Sequence, residues 1–105
     1  MSKHRSAYRE FPNVSKFLEE NLRHRRKEMK ISKTILAEKA GVTRNCIQQI
    51  ECHEHLPLPS TLFKVIGALD FSEDEAGRFW VGLDEAYAKD RALQEASNKT
   101  LEVVS

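Results

Sequence analysis

Apolar residues recur at helical spacing along nearly the whole chain, and the breaks between the runs are short. Val14, Leu18, Leu22 and Met29 fall on one side of a charged segment from Val14 to about Lys30, which predicts a long amphipathic helix. Ser32 is placed to cap a short helix reaching Ala40, and Gly41 ends it where a left-handed residue is wanted. Thr43 is a second cap, for a helix from Arg44 to about Cys52 in which Ile47 and Ile50 point inward. Pro57 and Pro59 make residues 53 to 59 irregular, and Ser60 is expected to cap a fourth helix carrying Leu62, Val65, Ile66 and Leu69. Ser72-Glu73-Asp74-Glu75 reads as a capping box with Phe71 as its hydrophobic staple, opening a last long helix through Ala76, Trp80, Leu83 and Tyr87. Residues 1–13, polar, basic and interrupted by Pro12, are expected to form an arm. Residues 92–105 are expected to form a tail, in which the β-prone run Thr100 to Val104 is either a lone strand or disordered.

The expected architecture is therefore all-α, with a domain over residues 14–91. At 105 residues and 12.1 kDa the chain has room for one modest core. Its composition, 40% apolar and 31% charged with 4 Gly and 3 Pro, excludes disordered, fibrous and low-complexity classes. No segment approaches the roughly 20 apolar residues of a membrane span, and the first ten residues lack the apolar core of a secretory signal, so a cytoplasmic protein is expected. Cys46 and Cys52 are too close together to staple a fold, and no disulfide is expected. Cys52-His53-Glu54-His55 has ligand-type residues at no defensible zinc spacing, so neither metal nor cofactor is expected. A net charge of +1 conceals an asymmetry. Residues 1 to 70 hold 13 Lys and Arg against 8 Asp and Glu, whereas residues 71 to 105 hold 4 against 8.

Two short helices joined by a tight glycine turn, the second Thr-capped, form the helix-turn-helix that places a helix in the DNA major groove. Ala37 is small enough for the two helices to approach, Gly41 makes the turn, and Ile47 plugs the second helix into the core. At 100° per residue, Ile47, Ile50 and Glu51 share one side of that helix, with Asn45, Gln48, Gln49 and Cys52 opposite and Arg44 exposed at its start. The outer set is chemically suited to base edges: Arg bonds bidentately to guanine O6 and N7, and Asn or Gln to adenine N6 and N7.

Residues 22–69 resemble the Cro/cI-type (XRE family) helix-turn-helix domain. The matching pieces are an Arg-rich first helix ending in Ile31-Ser32, the block ILAEKAGVT, the ending IQQIE of the third helix, and a Pro-bearing loop leading into LFKVIGAL. The resemblance implies a five-helix, lambda repressor-like fold and the role of a dimeric, operator-binding transcriptional repressor. It assigns base reading to Arg44, Asn45 and Gln49, with Gln48 as a further reader, and phosphate contact to Lys33, with Thr34 and Thr43 adding hydroxyls. Arg23, Arg25, Lys27 and the arm residues Lys3, Arg5 and Arg9 are weaker candidates for backbone contact. The family's ion pair between the first and third helices falls on Arg26 and Glu51. The chain departs from the family's pattern at Lys33, where Gln is common, and at Cys52-His53, where Gly often follows the recognition helix.

The last helix has a wider apolar band than five-helix packing needs, and Phe79, Trp80, Leu83 and Tyr87 are the candidate dimer residues. A two-fold dimer would read a near-palindromic site with recognition helices about 34 Å apart. A second class of function, an antitoxin-like module that binds a small partner protein through its acidic C-terminal segment, is kept beside the repressor. An enzyme is not expected, since no phosphate loop, metal cluster or acid–base pair is apparent.

Overall fold

The computed structural model describes residues 10–52 and 56–104, with side chains described as far as residue 97. Among the described residues five helices follow one another: α1 (Pro12–Glu28), α2 (Lys33–Ala40), α3 (Arg44–Glu51), α4 (Pro59–Ala68) and α5 (Glu73–Val104). No strand occurs among the described residues. α1 packs along α5 and against α3, while α2 packs against both α3 and α4. Leu22, Leu36, Ile47, Val65 and Leu69 are fully buried at the centre.

Pro12 opens α1 instead of interrupting an arm. At the first helical position its missing N–H is one that has no partner in the helix, and its fixed φ suits the helix. Of the expected arm, Pro12 and Asn13 thus belong to α1, and residues 1–9 lie outside the described residues. The N-cap residue is Phe11, which has no side-chain oxygen. The cap comes from Asp90, on α5. Its Oδ1 accepts from the Asn13 backbone N–H at 3.0 Å and from Asn13 Nδ2 at 2.9 Å, and its Oδ2 accepts from the Val14 N–H at 2.9 Å. Asp90 is fully buried.

α4 also begins at a proline. Pro59 is its first residue and the extended Leu58 its N-cap, so Ser60 lies inside the helix and does not cap it. The caps of the two short helices are as read from the sequence: Ser32 Oγ accepts from the Ile35 N–H, Thr43 Oγ1 from the Cys46 N–H, and Gly41 is left-handed at φ 74°. Nothing lies within 4 Å of a Cβ built on Gly41, so its backbone conformation alone asks for glycine. Gly82 is the converse. A Cβ there would sit 2.6 Å from the Phe17 ring, so where α1 meets α5 any side chain at this position would push that ring aside.

The capping box of α5 is reciprocal, the Ser72 N–H donating to Glu75 Oε1 at 2.9 Å and the Glu75 N–H to Ser72 Oγ at 3.1 Å. Phe71 stacks on Phe79 at 5.8 Å, and the Arg25 guanidinium lies 5.3 Å above its ring. The strand or disordered tail expected after Asn98 is overturned, because α5 continues as one helix to Val104. The run from Arg91 onward holds Ala, Leu, Gln and Glu with no Gly or Pro, and a β-branched pair at the end of a helix costs only tenths of a kcal/mol. Core contact ends earlier. Asp90 is buried and residues 91–97 are all exposed.

Two consequences are testable. Asp90→Ala leaves buried N–H groups at the start of α1 without partners and should lower unfolding free energy by about 2–3 kcal/mol in chemical denaturation. The Glu75 carboxyl is held below its ordinary value, chiefly by the Ser72 backbone N–H, with the Arg25 and Arg78 charges adding to it. A lowered carboxyl contributes stability that is present above the ordinary Glu value of 4.5 and is lost as pH falls through the folded value. Protection of the amides in the first turn of α5, taken relative to their intrinsic exchange rates at each pH, should therefore fall in acid, and Glu75→Gln should remove that pH dependence of protection.

Candidate nucleic-acid interface

α2 and α3 are joined by Gly41, Val42 and Thr43, and the turn is closed by the Val42 N–H donating to the Ala37 carbonyl at 3.0 Å. Ala37, Ala40 and Leu36 of α2 and Ile47 and Ile50 of α3 are buried, which sets the inner faces of both helices. Outward, Thr34, Thr43, Arg44 and Asn45 are exposed, and Lys33, Gln48 and Gln49 are half-buried. Seven of the residues singled out from the sequence therefore lie on the two helices and the turn that share this corner.

The orientation of α3 is fixed from α1. Arg26 grips Glu51 with both arms of its guanidinium, Nε to Oε2 at 2.8 Å and Nη2 to Oε1 at 2.9 Å, while its Nη1 donates to the Ile31 carbonyl at 3.0 Å. Arg26 and Glu51 are only 8% and 3% exposed, so the pair is a buried one. Arg23 adds a bond from Nη2 to the Glu51 carbonyl at 3.1 Å, which satisfies an orphan acceptor at the end of α3.

That geometry changes the reading of the basic stretch on α1. Arg25 donates from Nε to the Leu69 carbonyl at 2.8 Å and from Nη2 to the Asp70 carbonyl at 2.7 Å, closing the C-terminal end of α4. Arg23 and Arg25 thus serve the fold, capping helix ends. Lys27 is exposed. Lys3, Arg5 and Arg9 lie outside the described residues, as do His53, Glu54 and His55 of the ligand-type run. Among the described residues no group of three His, Cys, Asp or Glu could hold a metal ion.

Lys33 is engaged in a way its residue type did not announce. Its ammonium donates to the Gln48 Oε1, and Gln48 Nε2 in turn donates to Cys52 Sγ at 2.9 Å. Cys46 is half-buried, and burial pushes its thiol above the ordinary value.

A second surface is apolar. Phe79, expected at a dimer surface, is 4% exposed and packs against Phe17 at 5.3 Å and Phe71 at 5.8 Å, so it belongs to the core. Trp80, Leu83 and Tyr87 instead line an apolar groove of about 450 Å³ with Leu56, Pro57 and Phe63. Phe63 is 62% and Tyr87 46% exposed. Set against models of known protein families, curated proteins and solved structures, the chain matches none.

Glu51→Ala removes one side of the buried pair and should cost about 3–5 kcal/mol, read as a fall in the denaturation midpoint. Asn45→Ala, on the exposed face of the same helix, should leave the midpoint within about 0.5 kcal/mol of the parent.

Proposed function

We propose that the chain is a sequence-specific, double-stranded DNA-binding protein of the Cro/cI-type helix-turn-helix class, acting as a small transcriptional regulator with α3 as its recognition helix. The observation that carries the reading is the outward set on α2 and α3. Lys33 and Arg44 each occupy the first residue of a helix, neither helix has an acidic residue in its first turn, and amide and hydroxyl side chains surround them. Cations at helix N-termini oppose the helix dipole by some tenths of a kcal/mol, a conflict that an anion removes. Phosphates would meet Lys33, Thr34 and Thr43, and base edges would meet Arg44, Asn45, Gln48 and Gln49. The inward set, locked by Arg26 and Glu51, keeps the helix in one orientation, which base readout requires.

We infer that the protein acts as a dimer, through the groove that Trp80, Leu83 and Tyr87 line, reading a near-palindromic operator. The alternative, a small partner protein bound through the acidic C-terminal segment, rests on residues 91–97 of α5, which are all exposed. Sedimentation of the purified chain, alone and after co-expression with its gene neighbours, separates a second copy from a different partner.

Selection of binding sites from random DNA tests the reading as a whole. Recovered sites should share two related half-sites, and affinity should fall steeply with salt through counterion release. Gln49→Ala should relax preference at one base pair by about 1–3 kcal/mol with an unchanged melt. An unaltered preference would remove Gln49 from the interface.

A further inference from the structure

We propose that Lys33 and Gln48 act together as a reader of guanine, a role in base discrimination for Lys33 that goes beyond phosphate contact. The inference rests on the DNA-binding reading and deepens it. Lys33 opens α2 and Gln48 lies in the middle of α3, fifteen residues further along the chain, yet the ammonium donates directly to the carboxamide oxygen. An ammonium has three donors and no acceptor, so this contact fixes which end of the amide faces it. Oε1 turns to Lys33 and Nε2 turns away, where its only described partner is Cys52 Sγ, a weak acceptor.

The pair consequently offers donors. Two N–H groups of the ammonium remain after the bond to Gln48, and Nε2 carries a second N–H beyond the one given to sulfur. In the major groove guanine presents two adjacent acceptors, O6 and N7, whereas adenine presents an acceptor and the N6 amino donor. A free glutamine matches adenine, one oxygen to N6 and one amino group to N7. Held by Lys33, Gln48 has its oxygen beside a positive charge that repels an amino group, and its remaining donors match guanine. The bond also spans the two helices, so the reading side chain starts in one rotamer and loses less entropy on docking.

The test uses the full chain, with random-DNA selection followed by competition between the selected site and its single-base variants, for the parent, Lys33→Met and Gln48→Glu. Lys33→Met keeps the aliphatic stem and removes the charge; thermal melts establish that each variant is folded. The parent should require guanine at one position of each half-site, losing about tenfold in affinity on replacement by adenine. Lys33→Met should reduce that loss at the same position to less than about threefold and leave the other positions as they were. Gln48→Glu, an acceptor, should move the preference there toward cytosine, whose N4 amino group donates. Weakening by Lys33→Met that is equal for all sites, with a salt slope lower by about one counterion, would overturn the pairing and return Lys33 to phosphate contact alone. Adenine selected at every position near Gln48 would also overturn it. A parent protein that retains no DNA at low salt would defeat the DNA-binding reading itself, a result distinct from either of these.

Discussion

Glu51 sits at the C-terminal end of α3 with only 3% of its surface exposed, and each feature of that position works against its charge. Burial disfavours the carboxylate, and so does the negative end of the helix dipole. Arg26 reverses the balance by meeting both carboxylate oxygens, and Arg23 takes the carbonyl of the same residue. Because a planar guanidinium accepts this pairing in few geometries, the bond fixes where α3 lies on α1 as well as holding it there. Arg26 reaches a third partner, the Ile31 carbonyl, and so ties down the connection from which α2 starts. The outward face that α2 and α3 share is consequently set by one side chain of α1.

Three polar contacts follow a similar logic, each closing a helix end with a residue from a different helix. Asp90 of α5 satisfies the first N–H groups of α1, Arg25 of α1 satisfies the last carbonyls of α4, and Arg23 satisfies the end of α3. Hydrophobic burial is non-directional and would tolerate some sliding of these helices over the core. Directional bonds at helix ends remove that freedom, because a shift of one residue would leave buried donors and acceptors without partners. Asp70 shows the cost that such closure offsets. It is left-handed at φ 52° without being glycine, a conformation costing about 1–2 kcal/mol, and Arg25 holds its carbonyl.

Local signals in the sequence were sufficient for the elements whose caps are local. Ser32, Gly41, Thr43 and the Ser72–Glu75 box carry their instructions within four residues, and helix ends fall where those residues put them. Where a helix end is closed from afar the same reasoning had nothing to work with. No oxygen near Phe11 announces a cap, and Asp90 stands 77 residues away. Arg23, Arg25 and Lys27 looked alike on a basic helix, and only the packing sets the two arginines apart from the exposed Lys27. At the C-terminal end the β-branched composition of residues 100–104 outweighed the absence of any helix breaker, and the helix simply ran on. For Phe79 the band of apolar residues was visible, but which of its members turns toward Phe17 depends on the crossing at Gly82.

Net charge therefore says less about this molecule than the way each charge is used. Arg23, Arg25 and Arg26 contribute three units to the positive half of the chain, yet all three are bound to carbonyls or carboxylates of the fold. Lys33 and Arg44 contribute two, and they stand at helix N-termini, where a chain selected for stability alone would place acids. α5 does place acids there, with Glu73, Asp74 and Glu75 in its first turn. One chain thus follows the electrostatic rule at the helix that carries the apolar groove and departs from it at the two helices of the outward corner. The first turns of α1 and α4 hold no acidic residue either, so what sets α2 and α3 apart is the cation at the first position of each, Lys33 and Arg44, a placement that the helix dipole alone disfavours.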